Sequence, residues 1–213
     1  MCIRDSVTSV QRVASTAYGN AFMLVQQAGA SQIYTYDSPY LFKTSPSFVP
    51  LANGRVLQNP QVTPGGGRCF VNLGSGIVAL DSRTGEELWA QPLPNQGQCT
   101  SIIFDPPHQL IYATDSAHML FAIDAATGAE RWSFQVIGTV GQPVLSGGGL
   151  CVVGQMDAGV NVYWFNTAAA LSRAAANQPV TPVWQQEVGN GIPVLSTVYV
   201  LSLIHISEPT RPY

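Results

Sequence analysis

One eleven-residue pattern occurs twice in the chain and restricts its fold more than any other feature. Residues 79–89 and 122–132 both read A-x-D-x-x-T-G-x-x-x-W, and they start 43 residues apart. A fixed period of that length is typical of proteins that stack one supersecondary unit repeatedly. Fainter copies surround Asp37 and Asn166 at similar spacing, so the sequence predicts four repeats.

Each position of this pattern has a physical explanation. Its Asp can start a turn by accepting hydrogen bonds from backbone N–H groups two residues on, and its Gly supplies a positive φ that other residues resist. Its Trp offers a large flat surface to a neighbouring sheet and an indole N–H for a hydrogen bond. The sequence therefore predicts a structural role in docking one sheet on the next for Ala79, Asp81, Thr84, Gly85, Trp89, Ala122, Asp124, Thr127, Gly128, Trp132 and Trp184.

Further apolar runs bring the number of short strands predicted in each repeat to four. Four strands with a period near 43 residues describe one blade of a β-propeller. The predicted fold is all-β: a partial β-propeller of about four four-stranded blades plus the start of a fifth. The blades are predicted near residues 7–48, 49–95, 96–138 and 139–190, and the next begins at 191–200.

Two local features of the repeats lead to further expectations. Asn166 and Trp184 are ten residues further apart than the matching positions of the sharp repeats, and the alanine-rich text between them can form a short exposed helix. A tolerated surface-loop insertion is favoured over a functional one. Cys69 and Cys151 each lie four positions after the start of a triple glycine. We therefore expect these two cysteines to occupy matching strand positions as small buried hydrophobic residues.

The two ends of the chain are related to each other at the level of DNA. One back-translation of residues 1–6 is the reverse complement of a back-translation of the start of 201–213. This relation resembles the inverted end sequence of transposon-based sequencing adapters. We therefore interpret residues 1–6 and 201–213 as adapter-derived and exclude them from fold reasoning. The natural segment is then expected to be 7–200, truncated on both sides.

Composition argues against several classes of function. Charged residues make up only 10% of the chain and the net charge is −3, so no basic stripe predicts binding to nucleic acid. No run of eighteen apolar residues lies within 7–200, so no membrane span is expected there. His108 and His118 have no partners at metal-ligand spacing, and no Cys-x-x-Cys pair occurs. No metal site is predicted.

The repeated pattern resembles the tryptophan-docking motif of the PQQ-like, or quinoprotein-type, β-propeller repeat. Both copies match it at every specified position. The resemblance implies a ring of seven or eight blades, to which four or five blades would contribute only part. It also favours a periplasmic or secretory location.

The resemblance implies two kinds of function. One branch of the family comprises alcohol or sugar dehydrogenases that bind pyrroloquinoline quinone (PQQ) and calcium, with a catalytic Asp as general base and, in the alcohol-oxidising type, a vicinal Cys-Cys pair. The chain has no Cys-Cys, and Asp105, Asp115 and Asp157 do not form a recognisable calcium set. The other branch is non-catalytic and binds partners through loops and exposed sheet edges.

The favoured interpretation is a non-catalytic binding or scaffold module that has no cofactor in this segment. Its partner would be a protein or a small-molecule ligand on the propeller face. The alternative is a fragment of a PQQ- and calcium-dependent dehydrogenase. No catalytic, cofactor-binding or metal-binding residue is assigned in either case.

The docking role predicts a large effect of removing either indole of the sharp repeats. Replacing Trp89 or Trp132 by alanine should lower the free energy of unfolding by on the order of 3–5 kcal/mol, as for other large buried aromatic residues. Urea denaturation of each variant measures this loss. A loss near zero would mean that these tryptophans do not join blades.

Overall fold

The described residues form antiparallel sheets that follow one another along the chain. The computed structural model describes residues 9–15, 21–27, 30–36, 47–50, 62–65, 67–72, 74–81, 86–94, 97–157 and 159–188. In these ranges there are four sheets, three with four strands and one with five. The fold class is thus confirmed as all-β.

The first two sheets each contain four strands in sequence order. Every neighbouring pair is antiparallel, as in a meander of hairpins. The strands are β1 (Ser9–Ser15), β2 (Ala21–Gln27), β3 (Ala30–Tyr36) and β4 (Ser47–Pro50), then β5 (Val62–Gly65), β6 (Arg68–Asn72), β7 (Gly76–Asp81) and β8 (Glu87–Pro92).

The third and fourth sheets continue the same order. The third contains β9 (Cys99–Asp105), β10 (Leu110–Asp115), β11 (Met119–Asp124) and β12 (Glu130–Gln135). The fourth contains β13 (Thr139–Val140), β14 (Val144–Ser146), β15 (Gly149–Met156), β16 (Gly159–Asn166) and, after helix α1 (Thr167–Ala175), β17 (Trp184–Val188).

The first strand of the fourth sheet is divided into two pieces. The sequence predicts one strand near 142–145, but β13 and β14 pair separately with β15. Pro143 lies between them and has no backbone N–H to contribute to a ladder. The inner edge of this sheet is therefore irregular.

Apolar clusters fill the space between consecutive sheets. One cluster combines Phe70 and Ile77 of the second sheet with Ile102 and Phe121 of the third. Another joins the third sheet to the fourth. All six residues of β10 are buried, whereas all five residues of β17 are exposed. Middle strands are thus covered on both faces, as their continuous apolar sequences predict.

Helix α1 accounts for the ten extra residues of the fourth repeat. Its first turn is capped by Asn166, whose side-chain oxygen accepts a hydrogen bond of 2.8 Å from the backbone N–H of Ala169. Thr167 and Ala170 are buried, and Ala170 belongs to the cluster between the third and fourth sheets. The helix expected from the alanine-rich text is therefore present, and it is only partly exposed.

The prediction that Cys69 and Cys151 occupy matching strand positions is wrong. Cys69 pairs with Leu80, whereas Cys151 pairs with Trp164, which corresponds to Ala79 in the repeat. The offset is one residue, because the third glycine of the second triplet is already part of β15, and one residue changes the face of a strand.

The cysteines of the described residues are nevertheless buried and free, as expected of small hydrophobic residues. Burial raises the pKa of the Cys69 and Cys151 thiols. It also raises the pKa of Cys99, to about 12. These thiols therefore remain protonated at neutral pH, and protonated thiols are poor nucleophiles.

Several predictions fall on parts of the chain that the structure does not describe. The adapter-derived ends at 1–6 and 201–213 and the start of a further unit at 191–200 lie outside the described residues, as do Thr84 and Gly85. No helix in the described ranges is long and apolar enough to cross a membrane.

Candidate functional site

The best-defined group of polar interactions is the turn that follows β11. Oδ1 of Asp124 accepts hydrogen bonds from the backbone N–H groups of Ala126 and Thr127 and from the Thr127 hydroxyl, each at 2.9 Å. Oδ2 accepts from Arg131 at 2.6 Å. The N–H of Gly128, which has φ of +77°, donates to the Asp124 carbonyl at 2.8 Å. All these contacts stabilise the turn itself.

The same turn holds the tryptophan of the preceding sheet. The indole N–H of Trp89 in β8 donates to the carbonyl of Ala125 at 3.1 Å. Its ring lies against Gly128, where an added Cβ would come within 2.8 Å of the Trp89 Cε3 atom. Trp89 thus connects the second sheet to the third by one hydrogen bond and one close apolar contact.

The alanines of the motif lie beside the two tryptophans. Ala79 is the cross-strand partner of Trp89, and Ala122 is the partner of Trp132. Both alanines are fully buried. A small residue opposite a large one leaves room for the indole on the same face of the sheet. Asp81 ends β7 as Asp124 ends β11.

Trp132 connects the third sheet to the fourth in a different way. It is 5% exposed, and its ring centroid lies 5.7 Å from that of Phe165 and 5.8 Å from that of Tyr112. Among the described residues, its indole N–H has no hydrogen-bond partner. Helix α1 replaces the Thr-Gly turn here, so the joint relies on apolar contact, which includes Ala170.

Trp184 lies in a third environment. It is 41% exposed on β17 and stacks on Trp164, with ring centroids 6.3 Å apart and planes inclined by 6°. Trp164 stands where the two sharp repeats have alanine, and an added Cβ on Gly149 would overlap its ring. From its place beside Asn166 in the sequence, core packing is favoured for Trp164 over stacking on a quinone, but the side chain is only half-buried. In the sequence, the tryptophan in place of the motif alanine was the signal that could have indicated this stacked pair.

Two buried carboxylates, Asp105 and Asp115, lie away from the docking turn. Asp105 accepts hydrogen bonds through Oδ2 from His108 at 2.9 Å and from the Tyr112 hydroxyl at 3.4 Å. Burial, followed by the nearby charge of Asp105, raises the pKa of Tyr112. The spacing of Asp105 and His108 on one hairpin could have indicated this pair. Nothing in the sequence around Tyr112 indicated that its hydroxyl would reach Asp105.

Asp115 is held by the backbone of its own hairpin. Its Oδ1 accepts from the N–H of Met119 at 2.7 Å, while Oδ2 lies against Gly97 and has no hydrogen-bond partner in the described part of the chain. Among the described residues, no three His, Cys, Asp or Glu side chains are grouped so that they could hold a metal ion. The structure therefore does not bring the acidic residues of the sequence analysis together.

Four-stranded antiparallel sheets, joined by a tryptophan that docks on the next sheet, define a partial β-propeller of the PQQ-like type. The family model described as outer membrane protein assembly factor BamB matches residues 73–199, which is more than half of the chain. The chain therefore belongs to this family of PQQ-like repeat proteins. No curated protein is similar enough to count as a relative.

Solved structures share the fold at low sequence identity. BamB from Moraxella catarrhalis superposes with a TM-score of 0.58 at 16% identity, covering 86% of this chain and 51% of that protein. Apo AztD from Citrobacter koseri gives 0.56 at 13%, covering 85% and 48%. The WD40 domain of coronin from Toxoplasma gondii gives 0.53 at 12%, covering 86% and 48%. The chain thus spans about half the length of these structures.

The contact between Trp89 and Gly128 predicts that alanine is unusually costly at Gly128. Gly128→Ala should lose about 1–2 kcal/mol from the left-handed backbone conformation and a further 1–3 kcal/mol from crowding against the indole. Gly148→Ala is the matched control, because Gly148 also has φ of +77° but has nothing within 4 Å of an added Cβ. Equal losses in urea denaturation would contradict the docking contact.

The hydrogen bonds of the Asp124 turn predict a pH-dependent contribution to stability. Partial burial acts to raise the pKa of Asp124, but hydrogen bonds from Arg131, Thr127 and Ala126 outweigh it and lower the pKa below that of an ordinary Asp. A carboxyl with a lowered pKa stabilises the folded state above about pH 4 and loses that contribution as the pH falls further.

We therefore expect Asp124→Asn to destabilise the protein most at pH 7, with a smaller difference from the wild type at pH 3. Asp157→Asn is the control, since Asp157 lies in an exposed turn. Unfolding curves at both pH values measure the effect. A destabilisation by Asp124→Asn that is the same at pH 3 and pH 7 would show that the ionised carboxylate does not stabilise the turn.

Proposed function

We propose that the chain is a non-catalytic binding or scaffold module of the PQQ-like propeller family. The observation that carries this proposal is that the polar groups of the motif side chains are already engaged in hydrogen bonds within the protein. Both oxygens of Asp124 accept hydrogen bonds within its own turn, and the indole N–H of Trp89 is bonded to the next sheet. These groups hold the frame together and are not directed at a substrate.

The dehydrogenase alternative requires a quinone and a calcium ion, and the described residues do not fit the calcium ion. Calcium takes six to eight oxygen ligands, several of them carboxylates. Asp105 is bonded to His108 and Tyr112, and Asp115 is bonded to the backbone of its own hairpin. We therefore derive no catalytic step for this part of the chain.

Exposed strand edges support a protein partner. The outer strands β8, β12 and β17 each have only one paired neighbour among the described strands. An unpaired edge can accept an extended peptide as an additional strand. Charged residues and proline obstruct such pairing. Glu87 and Pro92 lie on β8 and Glu130 and Arg131 on β12, whereas β17 carries only Glu187.

We therefore propose the edge of β17 as the binding site for an extended segment of a protein partner. The description of the matching family as an outer membrane protein assembly factor favours a protein over a small molecule. A periplasmic or secretory location is part of the same proposal.

The proposal is tested by comparing two probes on the full chain. The first is a labelled ten-residue peptide with alternating apolar residues, followed by fluorescence anisotropy, with a scrambled peptide as control. The second is PQQ with calcium, followed by calorimetry. We expect saturable binding of the alternating peptide alone. Failure of that peptide to bind would contradict the β17 site, and saturable calcium-dependent binding of the quinone would favour the dehydrogenase.

A further inference from the structure

The exposed apolar residues of the described ranges are concentrated at the outer strand β17. Trp184 is 41% exposed and Val188 is 53% exposed, and they lie on the same face of the strand because they are four residues apart. Val183, which directly precedes the strand, is 63% exposed. Elsewhere in these ranges only Leu88 and Ile137 are large, apolar and exposed. Exposed apolar surface that is gathered in one place indicates a binding surface.

One polar side chain of β17 lacks a partner among the described residues. Gln185 Nε2 donates to Asn161 Oδ1 at 3.4 Å, and Gln186 Nε2 donates to the backbone carbonyl of Glu187 at 3.0 Å. The carboxylate of Glu187 makes neither a hydrogen bond nor an ion pair in the described part of the chain. It is therefore the side-chain group of β17 that is left for a partner to satisfy.

An added strand would bring one of its residues directly opposite Glu187. Opposite charges at such cross-strand positions stabilise a sheet, and like charges destabilise it. An apolar residue there would remove water from the carboxylate without replacing its hydrogen bonds, which costs free energy. The residue that complements Glu187 is therefore basic.

We propose that Glu187 determines which extended segments add to β17, by selecting those that place a lysine or arginine opposite it. This inference rests on the β17 site proposed above and specifies its partner. The added strand is taken as antiparallel, because every pair in the fourth sheet is antiparallel and this pairing is slightly more stable than the parallel one.

The antiparallel orientation defines a five-residue pattern for the partner. Its first residue lies opposite Val188, its second opposite Glu187, its third and fourth opposite the two glutamines, and its fifth opposite Trp184. The first and fifth are apolar, because aromatic and β-branched residues pair well across strands. The second is basic. A slip of one residue would turn every side chain of the segment to the other face, so the charge and the apolar residues together set the register.

The same pattern argues against a second copy of β17 as the occupant. The strand reads Trp-Gln-Gln-Glu-Val and contains no basic residue. An antiparallel pair of two such strands, centred on Gln186, would place Glu187 opposite Gln185 and leave the carboxylate without a countercharge. A different segment that carries a basic residue satisfies the edge more completely.

A competition experiment on the full chain tests the role of Glu187. The labelled alternating peptide described above is displaced by two unlabelled isomers, and fluorescence anisotropy at low salt follows the displacement. Both isomers have apolar residues only at the first and fifth of the five paired positions. One has lysine second and serine fourth, and the other has them exchanged. Because their composition is identical, the general attraction of a basic peptide to a chain of net charge −3 is the same for both.

We expect the isomer with lysine second to compete about two- to fivefold more strongly, as for an exposed cross-strand charge pair. Glu187→Lys should abolish or reverse this preference, and added salt should weaken it. Glu130→Lys is the matched control. It makes the same change of charge at an exposed glutamate of another outer strand, β12, and should leave the preference unchanged.

The outcomes separate this inference from the proposed function. If the labelled alternating peptide does not bind, the β17 site itself is contradicted. If it binds, equal competition by the two isomers would overturn the role of Glu187 alone, as would stronger competition by the isomer with lysine fourth. A preference that survives Glu187→Lys would do the same.

Urea denaturation shows whether Glu187→Lys leaves the fold intact. If it does not, Glu187→Gln replaces it, because glutamine removes the charge and keeps the shape of the side chain. Loss of the preference in that variant supports the inference, and an unchanged preference overturns it.

Discussion

The indole of Trp89 meets the turn of the following sheet through one hydrogen bond and one close contact, and the relation between the second and third sheets depends on this arrangement. A four-stranded sheet of this size cannot bury its own faces, so it is stable only when neighbouring sheets cover it. The turn that receives the indole is held by Asp124. The third sheet therefore supplies both a turn for the tryptophan of the second sheet and, in Trp132, a tryptophan that packs against the fourth.

The joint between the third and fourth sheets shows how far this arrangement can vary. Asn166 takes the position of the turn-forming Asp but caps a helix, using the same ability of a side-chain oxygen to accept backbone N–H groups. The helix covers Trp132 more completely than the turn covers Trp89, yet it offers the indole N–H no acceptor. This joint exchanges a hydrogen bond for additional apolar contact.

The repeat predicted the fold class because its chemistry is local. An Asp that starts a turn, a Gly with positive φ and an apolar strand before them can each be recognised within eleven residues. The one-residue offset between Cys69 and Cys151 could not be recognised in this way, since it depends on how many glycines belong to the turn and how many to the strand. The division of the inner strand around Pro143 depends likewise on pairing with β15.

The candidate site was less predictable than the fold. The sequence identified Trp89 and Gly128 as motif residues, but the acceptor of the indole N–H, the carbonyl of Ala125, is a backbone atom that no side-chain pattern indicates. The contact between Asp105 and Tyr112 joins two strands across a hairpin. The role of Trp164 can be recognised only from its position beside Cys151 and Gly149 in the folded sheet.

A double-mutant cycle between Trp89→Ala and Gly128→Ala tests the central claim most directly, that the indole docks on the turn of the next sheet. Removing the indole takes away the group that an alanine at position 128 would crowd. The cost of Gly128→Ala should therefore fall by about 1 kcal/mol or more in the Trp89→Ala background, within the range for residues in contact. Costs that add to within about 0.5 kcal/mol, as for distant sites, would contradict the docking.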